Sequence, residues 1–406
     1  MQWGSPLRRA GRSRVPTAAT PYFSPTALRY GYGTALGEKM EASVSLQPRL
    51  EVTPRSGVEV VMSAKIRADD ADRLLPGEPD FSTYSDASRP ATQGSRTVAE
   101  LDDLYLELQR GRQLLRVGKQ QIVWGALDGI KVLDTLNPQS FREFILEDFG
   151  DSRIGLWSVY ADASFGAARV ELALIADPTT HYVPGAGAWF EPTAPRFRFG
   201  AGMDQAELPV QVIDSDDAVE DGTAGLRLSR RFGRLDMTAV AVSGLDFEPL
   251  GRITVTPNGP VLERFYERRE LFGISAETAV GLLALRAEAA YLPGRRFNVR
   301  DDAVLDHRPF DQWRVGAAAD VQGPFGLFIN LQYLYDEVQD APDGWCEHER
   351  DHVVTAFLRR TFSYERIATE LRWYSSAGEG DGMVRAEIAY VPGNSTAEPG
   401  QRHVLR

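Results

Sequence analysis

Apolar and polar residues alternate along most of this chain. In 42–52, Ala42, Val44, Leu46, Leu50 and Val52 fall on one parity and Ser43, Ser45, Gln47, Arg49 and Glu51 on the other. Successive strand side chains point to opposite faces, so this is a strand between an apolar and a polar surrounding. Val58, Val60, Met62, Ala64 and Ile66 then alternate with Glu59, Ser63, Lys65 and Arg67, after only Thr53 to Ser56. The two runs read as an antiparallel hairpin. The pattern recurs. Val170, Leu172 and Leu174 oppose Arg169 and Glu171; Leu226 and Leu228 oppose Arg227 and Ser229; Leu283, Leu285 and Ala287 oppose Arg286 and Glu288. Trp313, Val315 and Ala319 oppose Arg314 and Asp320; Ile329, Leu331 and Tyr333 oppose Asn330 and Gln332. Leu371 and Trp373 oppose Glu370 and Arg372; Val384, Ala386 and Ile388 oppose Arg385 and Glu387. Stretches 98–109, 113–124 and 350–362 do not sort cleanly.

The connections alternate in length. Short turns are expected near Arg110–Gly111, Phe165–Gly166, Phe232–Gly233, Gly323–Gly326 and Ser363, and long loops over 69–97, 125–152, 177–221, 247–266, 293–310 and 339–349. That alternation predicts an all-β fold: a transmembrane antiparallel up-and-down β-barrel of about 16 strands (about 14 to 18), long loops on one side and short turns on the other. The competing reading is a soluble sandwich, whose apolar faces would meet in a dry core. The strands are long, and their apolar face is often Ala, Val or Leu, which lipid tolerates better than a packed core does. Tyr105, Trp124, Trp157, Tyr291, Trp313, Tyr335, Trp373 and Tyr390 near strand ends read as interfacial girdles.

Composition narrows the field. With 43% hydrophobic residues the 406-residue chain is not globally disordered, and one Cys excludes a disulfide framework. A net charge of −12 argues against a nucleic-acid partner. Residues 1–25 carry Arg8, Arg9, Arg12 and Arg14 without an acid or the apolar segment of a secretory signal, and read as a basic tail or a misplaced start. The barrel is assigned to 26–392 and an irregular tail to 393–406.

The run Arg116, Gly118, Lys119, Gln120, Trp124 and Gly125, followed by Asn137, Pro138, Arg142 and then Asp151, Ser152 and Arg153, resembles a bacterial outer-membrane barrel family. It is catalogued as domain of unknown function thirteen hundred and two. The resemblance is strongest over about 98–180. It implies a Gram-negative outer-membrane location and passage of small organic compounds, apolar ones included. Outer-membrane lipid, a small-molecule solute and periplasmic or inner-membrane export components are the implied partners.

The chemistry then divides by face. Arg49, Glu51, Lys65, Arg67, Arg116, Gln120, Arg169, Glu171, Arg286, Glu288, Arg314, Asp320, Glu370, Arg372, Arg385 and Glu387 are the expected lumen lining. They form either a selective pore wall or a ladder of ion pairs that fills the lumen. In loop 125–152, Asn137 and Pro138 suggest a helix start, with Phe141, Phe144, Ile145 and Phe149 at helical spacing. Such a helix would be a lumen constriction or an extracellular flap. Cys346, His348 and His352 match no usual zinc spacing, and Asp214, Asp216, Asp217, Glu220 and Asp221 lack an ordered calcium loop. No metal or cofactor is expected, and no catalytic motif points to an enzyme. A channel or outer export component is the leading reading. A plugged scaffold barrel and a soluble all-β binding protein are the alternatives.

Overall fold

The structure is a computed structural model. It describes residues 18–33, 38–53, 57–70, 81–94, 96–127, 129–142, 152–185, 188, 210–213, 221–301, 304–341, 349–362, 366–378 and 380–390. The strands are β1 (Ala18–Gly33), β2 (Glu38–Thr53), β3 (Val58–Asp69), β4 (Ala91–Gln93), β5 (Thr97–Arg110), β6 (Gln113–Gln120) and β7 (Leu156–Phe165). They continue as β8 (Ala168–Ile175), β9 (Val210–Val212), β10 (Thr223–Phe232), β11 (Leu235–Leu245), β12 (Leu250–Thr256), β13 (Gly259–Phe265) and β14 (Arg268–Val280). The last six are β15 (Leu283–Asp301), β16 (Val304–Gln322), β17 (Phe328–Val338), β18 (Arg350–Phe362), β19 (Ile367–Ser376) and β20 (Asp381–Tyr390).

One sheet holds 17 of them, β4 being a three-residue addition to the edge of β5. The remaining sixteen form an antiparallel meander in chain order, β8 pairing with β10 and β11 with β14. The strands β9, β12 and β13 form a separate three-stranded sheet. Among the described residues no ladder joins β20 back to β1.

Burial decides between lipid and a dry core. Leu46, Leu172, Leu331 and Ile388 are 40%, 41%, 50% and 71% exposed, while Ser45, Glu171 and Gln332 on the opposite parity are 6%, 2% and 5% exposed. A soluble sandwich requires the reverse. Apolar residues outward and charged residues inward are the arrangement that hydrocarbon outside and water inside stabilise. The chain is therefore a transmembrane up-and-down β-barrel, as the alternation predicts.

Four expectations are corrected. First, β1 starts at Ala18, inside the stretch expected to be tail, because its backbone pairs with β2 from Ala18 opposite Thr53 onward. Second, 247–266 and 293–310 are not loops. The first is the β12–β13 hairpin and the second an extension of β15 and β16, each 19 residues long. Here the register shifts between Leu292 and Arg295, with Gly294 at φ +56° and its N–H on Asp311, which breaks the alternation. Third, the ragged 98–109 is one strand with a bulge. Ser63 faces Asp103 but Ala64 faces Leu101, so Asp102 is extra and the face pattern slips by one. Fourth, Tyr105 and Trp124 are buried inside rather than in a girdle, whereas Trp313 and Trp373 are exposed on the outer face.

Candidate functional site

The interior is shaped by the segment 121–142, which leaves the end of β6 and folds into the barrel. Gly118, at φ +137°, marks the departure. A Cβ there would collide with the Leu104 carbonyl oxygen, so only glycine lets β6 lie this close to β5. Beyond Gln120, whose amide donates to the Ser158 carbonyl at 3.3 Å, Ile122, Trp124, Leu127, Ile130, Val132, Leu133 and Leu136 are all buried. They join one apolar cluster with the inward side chains Leu271, Ala290, Leu292 and Ala318. Each large side chain removed from water contributes ~1.5–3 kcal/mol.

The wall is notched to receive them. The inward positions Gly225, Gly273 and Gly316 have no side chain of their own. A Cβ at Gly225 would lie 2.7 Å from the Trp124 ring; one at Gly273 would strike Leu133, and one at Gly316 would strike Leu127. Gly125 in turn lies against Asp134, whose Cβ would be 2.7 Å from an added Cβ.

Polar ties complete the docking. The Glu288 carboxylate accepts the backbone N–H of Ala126 and, at 3.1 Å, that of Leu133. Arg286 donates to the Ala126 carbonyl at 2.6 Å and to both oxygens of Asp320 at 2.7 Å. Arg269 donates to the Thr135 carbonyl at 3.1 Å. Arg153 pairs with Asp134, and Arg142 with Glu100. Lys131 stands 3.7 Å from Asp134, and burial pushes its ammonium down to about 8.

Asn137 is not a helix cap. Its Oδ1 accepts the Ile122 N–H at 2.8 Å and its Nδ2 donates to the Ile154 carbonyl at 2.8 Å. Gln139 then bridges to Arg153 and Ser140 to Tyr182. The expected helix start at Asn137 and Pro138 is thus overturned: cross-chain bridges take the backbone groups that a first helical turn would need. Residues 143–150 lie outside the described residues. The stretch that packs against the inner wall is instead the irregular one before Asn137. Behind it, His181 accepts the Gln139 N–H at Nδ1 (2.8 Å) and sits edge-on to Phe141 and Phe247. Burial pushes the imidazole down to about 3, so it stays neutral.

The wall not covered by this segment is charged and reached by water. Arg49 is 33% exposed, Arg116 32%, Arg169 45% and Arg372 29%. These cations are paired. Arg49 meets Glu51 at 2.9 Å and Asp103 at 3.1 Å, Arg116 meets Glu107 at 2.7 Å, and Arg169 meets Asp162 at 2.7 Å. Glu171 takes Arg227 at 3.1 Å, Arg314 takes Asp336 at 2.7 Å, and Arg385 takes Glu387 at 2.6 Å. Glu370 lies between Arg359 at 3.3 Å and Arg372 at 3.4 Å. Arg116 also stacks over Tyr105 and Arg372 over Phe357. Lys65 and Arg67, although inward, are only 5% and 6% exposed. Arg286 and Glu288, on one face of β15, both turn to the inward segment.

Lys119 was absent from the expected lining. It shares the outward parity of Leu115 and Val117 yet is 2% exposed, donating to Ser88 at 3.0 Å, and Ser88 donates to Asp177 at 2.5 Å. Folding of 81–90 over this strand end buries it. His352 lies against Tyr333 at 2.8 Å; Cys346 and His348, and the acidic residues 214–220, lie outside the described residues. The wall glycines were also absent from the expected site. An isolated glycine inside an alternating strand is the signal that marks them.

No curated protein matches the sequence. Among solved structures, an OmpF of Salmonella typhi in complex with daunomycin matches at TM-score 0.47 and 10% identity, over 88% of this chain and 90% of that one. An anion-selective porin from Comamonas acidovorans matches at 0.46 and 11%, over 92% and 95%. The outer membrane channel DcaP of Acinetobacter baumannii matches at 0.45 and 9%, over 93% and 96%. The model of the family described as "Protein of unknown function (DUF1302)" matches residues 44–317, and the chain belongs to that family.

Proposed function

We propose that this barrel is an outer-membrane channel through which small organic solutes pass along the charged wall, beside the docked segment 121–142. One observation carries the reading. Inward arginines and carboxylates on β2, β5 to β8 and β19 remain reachable by water, while the outer face is apolar. A lumen packed as a solid core would leave those side chains dry. The docked segment narrows the passage from the β10–β16 side. The paired charges supply hydrogen-bonding groups of both signs, and the stacks of Arg116 on Tyr105 and Arg372 on Phe357 offer flat surfaces to a ring-bearing solute.

The test is conductance of the purified, heat-modifiable protein in planar bilayers, followed by swelling of loaded vesicles in aromatic and aliphatic solutes. Stepwise conductance and solute-dependent swelling are expected. A correctly folded barrel that passes no current would overturn the reading and leave a plugged scaffold in its place.

A further inference from the structure

We infer that Glu288 is the positioning residue that fixes the constriction: one inward carboxylate of β15 grips both ends of 126–133 and holds that stretch against the wall. The inference rests on the channel reading for its consequence, but the grip itself is independent of conduction.

The geometry is specific to this side chain. Glu288 is 2% exposed and sits mid-strand, opposite Gly316 of β16 and Ser275 of β14. Its Oε1 takes the N–H of Ala126 and its Oε2 the N–H of Leu133. The two peptides are seven positions apart, so the carboxylate closes the intervening chain into a loop that, among the described residues, no backbone pairing holds. Arg286, two residues away on the same face, adds the Ala126 carbonyl. Arg286 is itself aimed by Asp320, which Asn330 contacts at 2.5 Å, and Gln332 donates to Asn330 at 2.9 Å. Three strands, β15 to β17, thus converge on one point of the segment. Between the two gripped peptides Leu127 and Val132 fill the notch at Gly316, and Leu133, at the second peptide, fills the one at Gly273. A buried carboxylate deprived of either N–H would be left short of partners, which is why the segment does not swing off while the charge is present.

Thiol protection at Val132, which is fully buried, reads the docking directly. In a C346S background, V132C should react slowly with a water-soluble maleimide in the otherwise unaltered barrel. Adding E288L should speed labelling by on the order of tenfold or more. E288Q, of the same shape but with one accepting oxygen and an NH2 group that cannot accept the second N–H, should also speed labelling, as should E288D, one methylene short. In bilayers, E288L should show a changed and noisier open level. Equal labelling rates for E288L and the parent, both heat-modifiable, would overturn the grip. If E288L does not fold, E288Q, which keeps the shape of the side chain, decides in the same way. Absence of current in every variant alongside the expected labelling would instead refute the channel reading and leave the grip standing.

Discussion

At the scale of single residues, the interior is held by side chains that satisfy main-chain groups. Asn137 is the clearest case. It is 3% exposed and ties Ile122 to Ile154 across the entrance and exit of the inward segment. Alanine there leaves a buried N–H and a buried carbonyl without that partner, a loss of about 2–4 kcal/mol. Asn137→Ala should therefore lower the urea midpoint of the vesicle-inserted barrel. Asn137→Asp should not rescue it, because a carboxylate accepts from Ile122 but cannot donate to Ile154. A midpoint equal to the parent's for Asn137→Ala would show that the tie is redundant. The sequence makes Asn137 conspicuous beside Pro138, but the residue type fits a helix cap as well as a cross-chain tie. Only the proximity of Ile122 and Ile154, 15 and 17 positions away, separates the two.

At the scale of elements, period-two alternation was legible wherever a strand runs without interruption. The face of Leu172, Leu226, Leu285 and Leu331 follows from parity alone and is the outer face here. Parity fails where the backbone adds a residue. The extra Asp102 in β5 and the shift after Leu292 in β15 each move later side chains to the other face, and neither leaves a mark in composition. It also fails at β6, where the chain stops being a strand after Gln120 and buries apolar residues on the inside, among them Trp124. Where parity holds, it carries a cost that can be measured. Leu331→Arg puts a charge toward lipid and should destabilise folding into vesicles by about 2–4 kcal/mol if it lies near the midplane. Thr355→Arg lies on the inward parity of β18, opposite Gln332, and should cost under about 1 kcal/mol. Equal costs for the two would mean that the faces are not lipid and water.

At the scale of the whole molecule, the lumen is divided lengthwise. Along β10, β11 and β14 to β16, glycines and small or apolar inward residues meet the docked segment, and Leu271, Ala290 and Leu292 are dry. Along β2, β5 to β8 and β19, ion pairs face water instead. Such partly exposed pairs add little stability individually. In a C346S background, Arg116→Cys and Arg372→Cys should react rapidly with a charged, water-soluble thiol reagent, and reaction should change the current through the open channel. Ala290→Cys, behind the segment, should react slowly and leave the current unchanged. If Ala290→Cys reacts as fast as the two wall positions, water reaches both sides of the segment. The division of the lumen would then be wrong even if the barrel conducts.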